Sequence, residues 1–239
     1  MAFFSFRAGL PLLGAASLVL LISGCSLPLT SSEATPELNL PADFQAGGNE
    51  PPWQLRIEQE QVYFAQGYTP SWQRQTIHNS DGLAQQIETE QLRIQIREQV
   101  CHDSMSGMPH PYSVSITPTH TDGDAQLQGC GGDPLSLLVG RWQEANAEQK
   151  PLEVTFTSEG QVYGFSGCNR FSGRFTLSGE SLTFLPLAST RMACAEPAMT
   201  REQDFYQRLN QVNGFDLDSE GRLHLLSSER RTLEFVPYP

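Results

Sequence analysis

The stretch "LRIQIREQV" alternates apolar and polar residues, with Leu92, Ile94 and Ile96 on one parity and Arg93, Gln95 and Arg97 on the other. Successive side chains of a strand point to opposite faces, so this spacing suits a strand with one buried face and one wet face. The pattern recurs along most of the chain. "NEPPWQLRIEQEQVYFAQG" sets Trp53, Leu55 and Ile57, then Val62 and Phe64, at alternate positions. "YSVSITP" and "DAQLQGC" supply two short strands around a turn at Asp122-Gly123. Short alternating runs with turn residues between them predict antiparallel sheet.

Glycines and a proline interrupt the pattern at "GCGGDPLS", which places a domain boundary there. A second β segment starts at "LLVGRW" and runs through "LEVTF", "QVYGFSG", "RFTLSG" and "SLTFLPL". In "PAMTREQDFYQRLNQVNG" the period changes, and Met199, Phe205, Leu209 and Val212 fall on one helical face. Pro197 suits the helix start, Thr200 with Gln203 fits a capping box, and Gly214 suits the stop. "GFDLD", "RLHLLS" and "TLEFVP" return to strands. A lone amphipathic helix needs a sheet against which to bury its stripe. The fold class is therefore mainly β, or α+β. It comprises two small antiparallel β domains, the second with one amphipathic helix packed on or plugging a curved sheet.

The N-terminus reads differently. Arg7 is the only charged residue before Glu33, and it precedes the apolar run "AGLPLLGAASLVLLIS". A basic start and a short apolar run describe a secretory leader over residues 1–24. The run ends in "LISGC", which resembles the bacterial lipobox. That resemblance implies cleavage after Gly24 and acylation of Cys25, and more than one acyl chain anchors a protein firmly. Ser26 stands where an inner-membrane retention signal usually shows Asp, which by resemblance favours an outer-membrane lipoprotein facing the periplasm. Residues 25–48, rich in Ser, Pro, Thr and Gly, read as a flexible tether. The net charge of −12 disfavours nucleic acid, whose phosphates select basic surfaces. It suits a cationic partner, and solubility explains it equally well.

Several spaced motifs in the second segment carry a resemblance. Gly140-x-Trp142, Gly167-Cys168-Asn169, Gly173 and Thr190-Arg191-Met192-Ala193-Cys194 occur in order, and together they resemble the META/HslJ family of small envelope domains. The likeness covers about residues 135–237. It implies a small antiparallel β domain with one helix, often lipid-anchored, associated with stress and antibiotic tolerance, and no established enzymatic reaction. The first segment, residues 45–134, resembles a domain of other proteobacterial lipoproteins. Its markers are "GNEPPW", the Cys with Asp-Ser-Met-Ser behind it, Pro-Tyr-x-Val and a Gly-Cys close, and the likeness implies no function. Pro52 stands there in place of an expected aromatic residue.

Four cysteines remain after Cys25, an even number in an oxidising compartment. They allow three pairings. If each domain keeps its own pair, the bridges are Cys101–Cys130 and Cys168–Cys194. Each then closes a loop of nearly thirty residues, for which chain entropy gives roughly 3.5 kcal/mol.

Cys101, His102, Asp103 and Ser104 sit side by side and hold most of the hydrolase repertoire. Neighbours on an extended segment diverge, whereas a nucleophile and its base must touch. A polar loop beside a disulfide is the simpler reading, and no enzymatic activity is expected. His102, His110 and His120 with Cys101, Cys130, Asp122 and Asp124 lack the close pairing of zinc ligands, so neither metal nor other cofactor is expected.

Asn169, Arg170, Thr190 and Arg191 flank the second bridge and offer a polar binding site. In the alternative, Asn169 caps a turn and Arg191 pairs with Glu196 or Glu202. Trp53, Trp72 and Trp142 could line a groove but are read as core. The expectation is a non-enzymatic envelope lipoprotein. It is held to the membrane through Cys25, acts on an envelope protein or cell-wall component, and contributes to envelope stress or antibiotic tolerance. The alternative is an inhibitor of a cationic hydrolase such as lysozyme, or of a protease.

Overall fold

The structure, a computed structural model, describes residues 40–69, 71–81, 86–119, 126–228 and 231–239. The leader, Cys25, most of the tether, His120 and the Asp122-Gly123 turn with Asp124 lie outside the described residues.

Nine antiparallel strands form the first sheet: β1 (Asp43–Asn49), β2 (Pro52–Glu58), β3 (Gln61–Gln66), β4 (Gln73–Thr76), β5 (Asn79–Asp81), β6 (Gln86–Glu88), β7 (Leu92–His102), β8 (Pro109–Pro118) and β9 (Leu127–Gly131). They pair in the order β4-β3-β2-β1-β9-β8-β7-β6-β5. The strands β4 and β5 are consecutive in sequence yet stand at opposite edges, so the sheet has to curl back on itself. Ile77 and His78, the two residues between them, link the edges through the chain and continue the pairing of each. The Ile77 N–H donates to the Glu60 carbonyl at 3.0 Å, and the His78 N–H donates to Glu88 at 2.8 Å. Beside this corner Gln75 and Thr89 are buried and hydrogen-bonded to one another.

The expected alternation fills the inside of this curl. Leu55, Val62, Ile94, Ile96 and Ile116 are essentially inaccessible, and Trp53 packs among them. The tether is shorter than expected, because Asp43–Asn49 is a central strand that buries Phe44. Its glycines hid it, since Gly47 and Gly48 remove the alternation. A Cβ on Gly48 would lie 2.3 Å from Trp53 Nε1, so close approach of backbone to indole requires glycine there. Trp72 is 48% exposed and lies outside the core, with the Arg56 guanidinium 5.6 Å from its ring.

A short helix, α1 (Leu135–Leu138), leads into the second sheet. Its strands are β10 (Gly140–Glu144), β11 (Glu153–Phe156), β12 (Gln161–Phe165), β13 (Arg170–Leu177), β14 (Leu182–Phe184), β15 (Ala188–Ser189), β16 (Gly214–Leu217), β17 (Leu223–Leu226) and β18 (Arg231–Pro237). The path runs β14-β13-β12-β11-β10-β18-β17-β16, with β15 on β13. This sheet also curls, and Leu182 N–H donates to Asn213 carbonyl at 3.0 Å between its two ends.

Helix α2 (Glu196–Leu209) packs its Phe205 and Leu209 into this second core, with Val212 just beyond. Phe171 and Phe205 lie 5.5 Å apart. The helix starts a turn earlier than the capping box suggests. Its N-cap is Ala195, Pro197 sits in the first turn, and Thr200 is already helical. Pro197 decides this, because it lacks an N–H and fits only where none is needed. The stop comes at Asn210 instead of Gly214, which opens β16. Starting from Glu196, the buried face passes through Phe205 and leaves Met199 half exposed.

Met108, from the β7–β8 turn of the first sheet, is buried in the second core. The two sheets therefore share one packed boundary. Substituting Phe205→Ala should cost about 3–5 kcal/mol of unfolding free energy, while Met199→Ala should stay within about 0.5 kcal/mol. Urea denaturation of the two variants checks this.

Candidate functional site

Strands β7 and β8 are long, and their register shifts between Glu98 and Cys101. The structure joins Cys101 on β7 to Cys130 on β9, with Cα atoms 5.5 Å apart, although β8 lies between the two strands. Strands two places apart in a flat sheet stand about 9–10 Å from each other. The irregularity must therefore fold the end of β7 over β8 to close the bridge.

The tip beyond the bridge is tied by Asp103. Its Oδ1 accepts from the Met105 N–H (3.0 Å), the Ser106 N–H (2.8 Å) and the Ser106 hydroxyl (2.9 Å). Its Oδ2 accepts from Asn49 Nδ2 at 2.8 Å. Burial on its own raises this carboxyl; the Ser106 N–H, the Asn49 amide, the Ser106 hydroxyl and the Met105 N–H outweigh it and pull the pKa to about 2. Asn49 also donates to Ser104 Oγ at 3.0 Å. His102 leaves the cluster altogether, its Nε2 standing 2.8 Å from Asp216 Oδ1 on β16. His110 Nδ1 donates to the Gly132 carbonyl at 2.9 Å. Cys101 and His102 thus turn to different partners, Asp103 and Ser104 share Asn49, and none of the four forms a nucleophile–base pair with another.

Around this tip lies a cleft of about 550 Å³. Its floor is the polar face of β7, β8 and β9, the parity opposite Ile94, Val114 and Leu127. Gln95, Ser115 and Gln128 face one another across the three strands, and Arg97 and Ser113 form the next row toward the disulfide. One wall is Gly47–Glu50, and the other is His102–Ser104. Strand β1 pairs with β9 at Ala46 and Gly47, and beyond them Asn49 turns to Asp103 and Ser104, so the two walls meet at that end of the cleft. These floor residues were not picked out from the sequence. Their signal was present as the polar halves of "RIQIR", "SVSI" and "QLQG", which sheet pairing alone brings into register.

At the second bridge, Cys168 and Cys194 have Cα atoms 6.0 Å apart. Asn169 is buried and fully engaged. Its Oδ1 accepts from Thr190 Oγ1 at 2.8 Å and from the Met192 N–H at 2.7 Å, and its Nδ2 donates to Glu202 Oε2 at 2.9 Å. Glu202 also accepts from the Ser166 hydroxyl. The four expected binding residues therefore divide. Asn169 and Thr190 lock the disulfide loop onto α2, while Arg170 and Arg191 stay exposed at the surface. Arg191 pairs with neither Glu196 nor Glu202 among the described residues, and Glu202 accepts from Asn169 and Ser166 instead.

The META domain family matches residues 127–238. The heat shock protein HslJ of Escherichia coli (strain K12) is 32% identical over 132 residues, which are 55% of this chain and 86% of that protein. This chain belongs to the META/HslJ family. The match begins at Leu127, earlier than the sequence motifs place it, and so takes in β9 and Cys130 of the first sheet. An NMR structure of a protein from Burkholderia xenovorans is 26% identical, with a TM-score of 0.38 over 51% of this chain and 99% of its own. A second NMR structure is 29% identical, with a TM-score of 0.35 over 44% and 93% of the two chains. Within the META region, the family motifs Gly167-Cys168-Asn169 and Thr190–Cys194 are the residues that build the Asn169 lock.

Removing that lock should be costly. Asn169→Ala is expected to lose roughly 2–4 kcal/mol by leaving buried partners unsatisfied, against less than about 0.5 kcal/mol for Arg191→Ala; denaturant midpoints compare the two. Asp103, with its folded pKa depressed, stabilises the protein above its ordinary value of 3.8 and loses that contribution as pH falls toward about 2. Thermal unfolding followed across that window should show a pH-dependent fall in wild type that Asp103→Asn lacks.

Proposed function

We propose that this protein is a non-enzymatic lipoprotein of the cell envelope, a binding module whose loss weakens tolerance of envelope stress or antibiotics. One observation carries the reading: each of Cys101, His102, Asp103 and Ser104 is spent on holding a loop in place. What remains at that position is a preformed polar cleft, and a preformed cleft suits binding. The name of the Escherichia coli relative, a heat shock protein, supports a role under stress. The lipobox-like "LISGC" supports anchoring at Cys25.

The test is genetic. A deletion strain should become several-fold more sensitive to heat or to antibiotics that act on the envelope. Wild-type protein should restore tolerance, and Cys25→Ala should fail to restore it and should appear in the soluble fraction. A deletion strain that behaves as wild type under each stress overturns the role in tolerance. Purified protein that inhibits lysozyme or a protease would replace this reading with that of an inhibitor.

A further inference from the structure

We infer that the cleft over β7, β8 and β9 binds a neutral glycan chain that carries acetamido groups. The inference rests on the binding-module reading above and adds the site and the class of ligand.

The chemistry of the floor selects the ligand. In a chain with 27 acidic residues, the two rows across the floor contain no carboxylate; Glu50 and Asp103 stand on the walls, and the Asp103 oxygens are engaged by Met105, Ser106 and Asn49. The rows present the amides of Gln95 and Gln128 and the hydroxyls of Ser113 and Ser115. Arg97 is the one cation on the floor, and its Nη2 donates to Gln95 Oε1 at 2.9 Å. Gln95 presents its amide N–H groups, Gln128 presents its Oε1 while its Nε2 donates to Gln126 at 3.3 Å, and each Ser offers both functions on one oxygen. Such a surface matches a ligand that is itself uncharged and dense in amide and hydroxyl groups. A phosphate-rich ligand would need a cluster of cations.

The middle of the floor offers no free strand edge to a peptide. Peptide strands are captured by main-chain pairing at a free sheet edge. β8, the middle strand of the floor, is paired to β7 along one side and to β9 along the other, so its backbone groups are taken. A ligand lying over β8 is read by side chains. Sugar hydroxyls and acetamides bond in that way, whereas an extended peptide would leave its own N–H and C=O groups without strand partners.

The walls are preorganised. A Cβ on Gly129 would fall 2.0 Å from the Gly47 carbonyl, so glycine is required where β1 meets β9. The opposite wall is fixed by the Cys101–Cys130 bridge and by Asp103, whose Oδ2 accepts from Asn49 where the two walls meet. A rim held in this way adds little ordering cost on binding.

The test is a titration of full-length isotope-labelled protein in detergent micelles, followed by backbone amide shifts. The probes are a chitin-derived tetrasaccharide, which is neutral and acetamido-bearing, and maltotetraose, which carries hydroxyls alone. Saturable shifts confined to β7, β8, β9 and Asn49 are expected with the first, at least about tenfold tighter than with the second. Ser115→Trp, which fills the floor, should weaken binding at least about tenfold. Gln128→Ala, at an exposed side chain, should weaken it several-fold and serves if the tryptophan variant does not fold.

Equal affinity for the two sugars overturns the acetamido preference. No saturable response, or a response indifferent to the floor variants, overturns the glycan site. Those failures leave the envelope role standing, since that role is scored by the deletion phenotype.

Discussion

The Ile77 and His78 N–H groups donate to Glu60 and Glu88, and that single corner bends the first sheet back on itself. β4 and β5, the two ends of the sheet, are not paired with each other, and the two-residue link brings the ends close enough for Thr89 beside β6 to bond Gln75 on β4. The curl gives every alternating strand an inside and an outside. Leu55, Ile94 and Ile116 occupy the inside with no room for water. The Leu182 to Asn213 bond plays the same part between the ends of the second sheet. Curvature in the first sheet also lets the end of β7 fold over β8 so that Cys101 reaches Cys130.

The boundary between the sheets follows from the same hairpin. Met108 stands at the far side of the β7–β8 turn and inserts into the core built by Phe205, Phe215 and their neighbours. His102 reaches Asp216 on β16 a few residues before it. Only then is the loop tip held on all sides, by apolar burial at Met108, by a hydrogen bond at His102 and by the covalent bridge at Cys101. The family match that starts at Leu127 is consistent with this sharing, because β9 belongs to the first sheet by pairing and to the META region by sequence.

The alternating strands and the helical stripe at Phe205, Leu209 and Val212 were legible because burial has a period that one sequence displays. Strand β1 was not, since Gly47 and Gly48 erase the period where backbone approaches Trp53. Met199 and the Thr200–Gln203 pair misled because periodicity gives a face but not a starting residue, and Pro197 set the start. Trp72 misled because an aromatic residue can also spend its face on an arginine, here Arg56. Asn169 was singled out as a possible ligand-binding group. Its partner Glu202 lies 33 residues away, and only the packing of α2 on the sheet brings them together.

The fate of "CHDS" follows from strand geometry. Adjacent residues at the end of a strand point in different directions, so a motif dense in reactive groups is poorly placed to converge on one atom. The same divergence serves a scaffold well. Cys101 reaches back to β9, His102 reaches out to β16, Asp103 turns the chain, and Ser104 meets Asn49. Four chemistries at four angles brace a loop in more directions than any single residue type could. The polar floor beside that loop was harder to notice in the sequence, since glutamines and serines on strands look like ordinary solvated positions. Only the pairing that sets Gln95 opposite Ser115, and Ser115 opposite Gln128, turns them into one surface.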